Sequence, residues 1–416
     1  MDFRNQILSI LSGVALISLT GLTTTVYGQQ VVAPLSPTPA IAEQQASTSK
    51  PTDSTSAGPS TPSTSTGELR WGPINFRPHF SYRYLYGNGI QASPGNSKKT
   101  SINSFSPGLF AELGTHWTLD YTPTWTYYSS RVFRDTVDQA GQINWATKYQ
   151  EWTLSAGQTY SRTDSPLVET GRQTQQSTYA SNLNALFAFN SRFALETVLR
   201  QNLRFAEGFN DTREWSIRDM LHLQTSPFLD TAIGAEYGYT AVSKTADISA
   251  LQILASATWR PINQLNMSLE AGLEKQHIYS EPSSNVQNPV YKASVQFIPV
   301  ATTQLGLTAS RSSSASYLDS QIMESTNYGI SLSQRLLRRL LFNAALGHQE
   351  SKYTSTRSST SAGRKDKIDS ANFSLNTTFR TRITTAVTYQ YNRNSSNVTG
   401  FGFSSNQIGL EIGYSF

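Results

Sequence analysis

The sequence predicts an all-β transmembrane protein: an antiparallel up-and-down barrel of about eighteen strands, with short periplasmic turns and longer extracellular loops. Three observations predict it. From Trp71 onward, apolar and polar residues alternate with a period of two in segment after segment. The connections alternate between short turns and longer polar stretches. The chain also closes on an alternating strand, Ile408, Leu410, Ile412, Tyr414 and Phe416, that ends in an aromatic residue.

Composition is compatible with that class. The 416 residues are 38% hydrophobic, and the mean hydropathy of -0.38 would ordinarily read as soluble. A membrane barrel gives the same average, because only every second strand residue meets lipid while the lumen stays polar. The 20 Tyr, 19 Phe and 7 Trp are many for so polar a chain, and barrels use such residues as interfacial girdles. The chain has no cysteine, which excludes disulfides, thiolate metal sites and a lipoprotein anchor. Its net charge of +5 is spread thinly, with no basic block of the kind that meets nucleic acid.

Residues 1–28 read as a signal peptide. Arg4 precedes an apolar run from Ile7 to Leu22, and Val26-Tyr27-Gly28 supplies small residues around a cleavage site. The run falls short of the roughly twenty residues a membrane helix needs. Residues 29–70 form a Pro/Ser/Thr-rich periplasmic tether, too poor in apolar surface to offset the entropy of ordering it. The barrel occupies residues 71–416.

Clear strands run from Ile74 to Tyr86, from Trp117 to Tyr127 and from Leu265 to Glu274. Leu269 and Leu410 are assigned to lipid; Ser268 and Gly409, one residue away, are assigned to the lumen as positions tolerant of polar change. Short turns are expected at Gly114–His116, Asn190–Arg192, Arg260–Asn263 and Arg380–Arg382. Longer loops are expected at Gly87–Ser101, Thr163–Gln176, Ser280–Gln287, Ser312–Ser320 and Thr354–Lys365, none long enough to mark an obvious constriction. The segment Val137–Trp145 alternates poorly, so sixteen strands remains the alternative count. Aromatic girdles are expected from Phe76, Trp117, Phe193, Trp259, Phe297 and Phe379 at the turn side. Tyr86, Tyr160, Tyr179, Trp215, Tyr239 and Tyr391 mark the loop side.

The final strand resembles the targeting signal read by the outer-membrane assembly machinery, with Ile412, Tyr414 and Phe416 carrying the signal. Three loop segments, Tyr160–Gly171, Phe205–Asp211 with Arg213-Glu214-Trp215, and Gly400–Gln407, resemble the putative β-barrel porin-2 family. That resemblance implies an outer-membrane passage for exopolysaccharide, working with a periplasmic polysaccharide export protein that has no membrane segment of its own.

Alternation turns a polar set toward the lumen: Arg77, Arg83, Arg200, Arg204, Arg218, His222, Glu236, Glu270, Glu274 and Lys292, together with His79, Asp120, Glu196 and Glu411. One reading is a charged pore wall that orients or filters a solute; the other is a set of salt bridges that keeps the lumen wet and rigid. The basic loop residues Lys98, Lys99, Arg364, Lys365 and Lys367 read as a solvated outer surface, or as contacts to lipopolysaccharide phosphates. His79, His116, His222, His277 and His348 fall on separate strands or turns, with no triad and no metal-ligand spacing. Neither enzyme nor cofactor is expected. Two functions remain: a porin-like channel with the export role attached, or a structural or adhesive barrel with a blocked lumen and binding loops.

Overall fold

The computed structural model describes residues 69–415, leaving aside 89–98, 168, 171, 245, 281–282, 319–320, 338, 356–362 and 380–381. The signal peptide, most of the tether and the terminal Phe416 lie outside the described residues. The elements are β1 (Leu69–Trp71), β2 (Ile74–Asn88), β3 (Lys99–Leu113), β4 (Trp117–Tyr128), β5 (Thr136–Tyr149), β6 (Trp152–Leu167), β7 (Arg172–Ala188), β8 (Phe193–Ala206), β9 (Thr212–Ser226) and β10 (Leu229–Val242). They continue as β11 (Ile248–Ile262), β12 (Leu265–Ile278), β13 (Ser284–Val300), β14 (Thr303–Ala315), β15 (Gln321–Leu336), β16 (Leu340–Ser355), β17 (Lys365–Phe379), β18 (Ile383–Ser396) and β19 (Phe403–Ser415).

Each of β2 to β19 pairs antiparallel with its sequence neighbour, and β19 returns to β2 to close an eighteen-strand barrel. Sixteen is therefore excluded, because the segment around Val137 forms β5 and pairs on both sides. Among the described residues the closing ladder runs down to His79 opposite Ser415, and the short β1 pairs with the foot of β2 through a turn at Gly72, whose φ is 60°. Closure leaves no open edge for a lipid bilayer to desolvate.

The two faces separate as a period-two pattern requires. Ile233, Ile253, Leu273, Ile330 and Ile408 are more than half exposed on the outside. Their strand neighbours, such as Met220, Leu254 and Glu274, are buried inside. Aromatic residues including Trp117, Phe193, Trp259 and Phe379 ring the turn end, and Tyr86 and Tyr389 stand toward the loop end. An apolar belt between two aromatic rings is the exterior of a barrel integral to the outer membrane.

Gly409 departs from the expectation. It faces inward, but a Cβ there would lie 2.4 Å from the Leu85 side chain and 2.5 Å from Thr388 Oγ1. The position is a close approach between strands rather than a tolerant one.

The outer connections are shorter than expected, because the strands run on above the membrane. The segment Thr163–Gln176 is mostly ladder, paired from Thr163 opposite Gln176 up to Leu167 opposite Arg172. Above the lipid both strand faces meet water, so a strand there carries no apolar alternation. At the turn side, the expected Arg260–Asn263 turn is mostly strand, with a register shift between Trp259 and Ile262.

The β14–β15 hairpin breaks the cylinder. Its two strands stay paired to Ala315 opposite Ile322, but β14 leaves β13 at Arg311 opposite Tyr291. The upper part of β13 holds β12 alone. It contains Pro289, a residue that sheets accept at their edges. Freed from its neighbour, the hairpin leans inward, and Ile322 and Ala315 pack on Ile248 and Ile278.

Candidate functional site

The lumen is built by side chains on the face opposite the lipid belt. All ten residues expected to line it sit on that face, and most are tied to a neighbour. Arg77 donates to Glu112 at 3.0 Å, and Arg200 reaches both oxygens of Glu236 at 3.0 and 3.1 Å. Arg218 holds Glu270 through two bonds, beside Lys292 in the next strand register. His222 sits between Glu196 at 3.3 Å and Asp230 at 3.1 Å. Glu274 accepts from the Gln252 and Gln276 amides, and Arg83 stands in register with Glu411. An eighteen-strand lumen is wider than side chains fill; Arg200, Arg218 and His222 are partly exposed in it, whereas Arg83 and Glu274 are buried.

Arg204 does something else. Its guanidinium lies 3.8 Å above the ring of Tyr317, at the tip of the inward-leaning hairpin, and donates to the Ala315 carbonyl at 3.4 Å. The tip has crossed to the far side of the barrel. Tyr317 packs among Leu167, Ala206 and Phe209, and its hydroxyl donates to Gln176 at 2.7 Å. Asn210 of the β8–β9 connection donates to the Leu318 carbonyl at 3.0 Å.

The centre of the closure is Glu169, between β6 and β7. Its carboxylate accepts from the Ser316 hydroxyl and from the Tyr317 backbone N–H at 2.8 Å. Glu169 is 1% exposed, and burial pushes its carboxyl above the usual carboxylate range. The Ser316 hydrogen bond and the Arg204 and Arg364 charges partly offset that rise. Arg364 donates to the Glu169 backbone carbonyl at 3.0 Å and grips the Asp366 carboxylate. The guanidinium is also flanked by the rings of Phe401, at 3.6 Å, and Tyr353, at 4.6 Å. It is 3% exposed, so this residue is no part of a solvated outer surface; stacking and pairing together offset its desolvation.

The mouth is thus covered by five connections that meet over the lumen, contrary to the expectation of no constriction. Loop length did not reveal it, because the reach comes from paired strand rather than from loop. A signal was nevertheless present. The three segments that carried the family resemblance supply Glu169, then Ala206, Phe209 and Asn210, then Phe401.

The family model described as putative beta-barrel porin 2 matches residues 268–416, which span β12 to β19. The segments around 160–171 and 205–215 lie outside that match. Among solved structures, the chain is similar to Pseudomonas aeruginosa OccK2 (OpdF), with 10% identity and a TM-score of 0.46 over 82% of this chain and 98% of that one. It is also similar to Pseudomonas aeruginosa OpdK solved with vanillate, at 10% identity and a TM-score of 0.43 over 82% and 98%. No curated protein matches the chain.

Proposed function

We propose that this porin-like outer-membrane β-barrel channel, similar in its last eight strands to putative beta-barrel porin 2, is a gated passage whose resting state is closed at the outer mouth. One observation carries the reading: the β14–β15 tip is latched on Glu169 across a lumen whose walls are mostly polar, with an apolar patch of Met220, Ala232, Leu254 and Val290 on one side. A wall that merely scaffolds surface loops has no need of a hydrated interior, and an ungated pore has no need of the latch.

The cargo we assign is exopolysaccharide, delivered by a periplasmic polysaccharide export protein. The inner faces of β16 and β17 support this, because they offer half-buried amides such as Asn343, Asn372 and Asn376. Such groups exchange hydrogen bonds with sugar hydroxyls without binding any one of them tightly. The tether at residues 29–70 begins on the periplasmic side and is the segment we assign to partner contact. The second reading, an adhesive barrel, is favoured by the same closed mouth.

Planar-bilayer recordings separate the two readings. The native barrel is expected to be silent or to open rarely, whereas replacing Ser316, Tyr317 and Leu318 by glycine should give steady, large conductance. Loss of the protein should abolish surface polysaccharide and leave small-solute uptake unchanged. A tip-free barrel that stays silent sinks the channel reading. Intact polysaccharide in the deletion strain sinks the cargo.

A further inference from the structure

The lipid-facing belt is not apolar all the way round. On β9, Asp219 points outward between Ile217 and Leu221, in the middle of the belt, and is exposed. Its one hydrogen bond in the belt comes from Thr197 Oγ1 on β8 at 2.6 Å. Its flanking partners in the same row are Ala235 and, beyond Thr197, Ala185, so nothing large stands over the carboxylate. Two rows higher, still below the tilted Tyr160–Tyr179 ring pair, the outward residues are Gln158, Ser181 and Gln201 on three consecutive strands. The corresponding surface on the other side of the barrel carries Ile330, Leu346, Val387 and Leu410.

Acyl chains offer neither donors nor acceptors, so a carboxylate with a single hydrogen bond and a row of amides facing them are left short of partners. We propose that the outward face of β6 to β9 is a docking surface for a second copy of this chain. Three features select that occupant. Identical barrels insert to the same depth, so a polar strip at belt height meets another at belt height. The strip supplies its own complement, with amide and hydroxyl donors in Gln158, Ser181 and Gln201 and a carboxylate acceptor in Asp219. Its small residues let two walls approach closely, as small residues do where membrane segments associate, and a self-complementary patch suits a closed homo-oligomer.

The absence of cysteine in the chain makes the test clean. Ser181→Cys on the strip and Ile330→Cys opposite it are each made in the full chain, and folding is checked by heat-modifiable mobility. Oxidative crosslinking is then run in intact outer membranes. Ser181→Cys should give a band of twice the monomer mass, and Ile330→Cys should remain monomeric. Adding Asp219→Leu to Ser181→Cys should cut the crosslinked fraction severalfold while the barrel stays folded. The proposal is overturned if Ser181→Cys stays monomeric, couples to a different protein, or crosslinks no better than Ile330→Cys. It is overturned equally if Asp219→Leu leaves the crosslink intact.

Discussion

The lumen has two unlike walls. From β8 to β13 it is a lattice of fixed charges, in which Arg200 holds Glu236, Arg218 holds Glu270 and His222 meets Glu196 across strands. From β16 to β18, below the mouth, the described inward residues carry no charge and are mostly serine, threonine, asparagine and glutamine. The charged wall spends its groups on each other, so its side chains are held in place and little net field is left over. The neutral wall commits little: Asn343 and Asn376 share a bond to Ser374, and other amides remain for whatever passes. The same polarity therefore builds stiffness on one side and adaptability on the other.

That contrast depends first on which face is inside, and the largest effect tests it. Leu410→Arg should destabilise the barrel by about 2–4 kcal/mol near the belt midplane, whereas Thr388→Ser on the inner face of β18 should be nearly silent. Urea unfolding in lipid vesicles measures both, and equal sensitivity would mean that the two faces are misassigned.

A smaller effect separates the walls. Arg218→Ala leaves Glu270 without its bidentate partner, at a cost of about 1 kcal/mol because lumen water takes up part of the loss. It should also turn the selectivity of an unlatched barrel toward cations. Asn376→Ala on the neutral wall should stay within about 0.5 kcal/mol and leave reversal potentials unmoved. If both substitutions shift selectivity alike, the walls are not distinct.

The smallest effect is one of pH, and it belongs to the mouth. Glu169 lies above the lipid, and burial raises its carboxyl pKa. A raised value means that closure favours the protonated form, so the latch is firmest in acid and weakens as pH climbs through that value. Open probability of the native barrel should rise as pH climbs upward from the ordinary carboxylate range. Glu169→Gln should stay latched throughout, because the neutral side chain bears no burial cost. A variant with the native pH profile would move the titration elsewhere, to the charged wall.

Much of this was legible in the sequence, for a physical reason. A strand half in lipid must alternate, so the belt and the inward placement of Arg200 or Glu270 follow from parity, whereas the strand count also needs the alternation of short and long connections and leaves sixteen open at Val137–Trp145. The mouth obeys no such rule. Ser312 to Ser316 reads Ser-Ser-Ser-Ala-Ser, small polar residues that suit a strand in water, a loop or a folded-in hairpin equally well. The contact that matters joins Ser316 to Glu169 across 147 positions, with no periodicity to connect them. Asp219 was readable as outward by parity, but its neighbours Gln158 and Gln201 become a strip only once the strands are set side by side.

The stretch of β13 that the hairpin vacated has a further consequence. Continuing the register from Tyr291 opposite Arg311 would bring Ser312 to Ala315 alongside Val290 to Gln287. With β15 laddered to β16 up to Gln321 opposite Ser355, the hairpin rests across the lumen on Glu169, and the wall would hold a second berth for β14. Swinging between them trades latch contacts for ladder bonds rather than discarding either set. An element offered a second pairing edge in this way has the makings of a two-position switch, with the upper edge of β13 as its other stop.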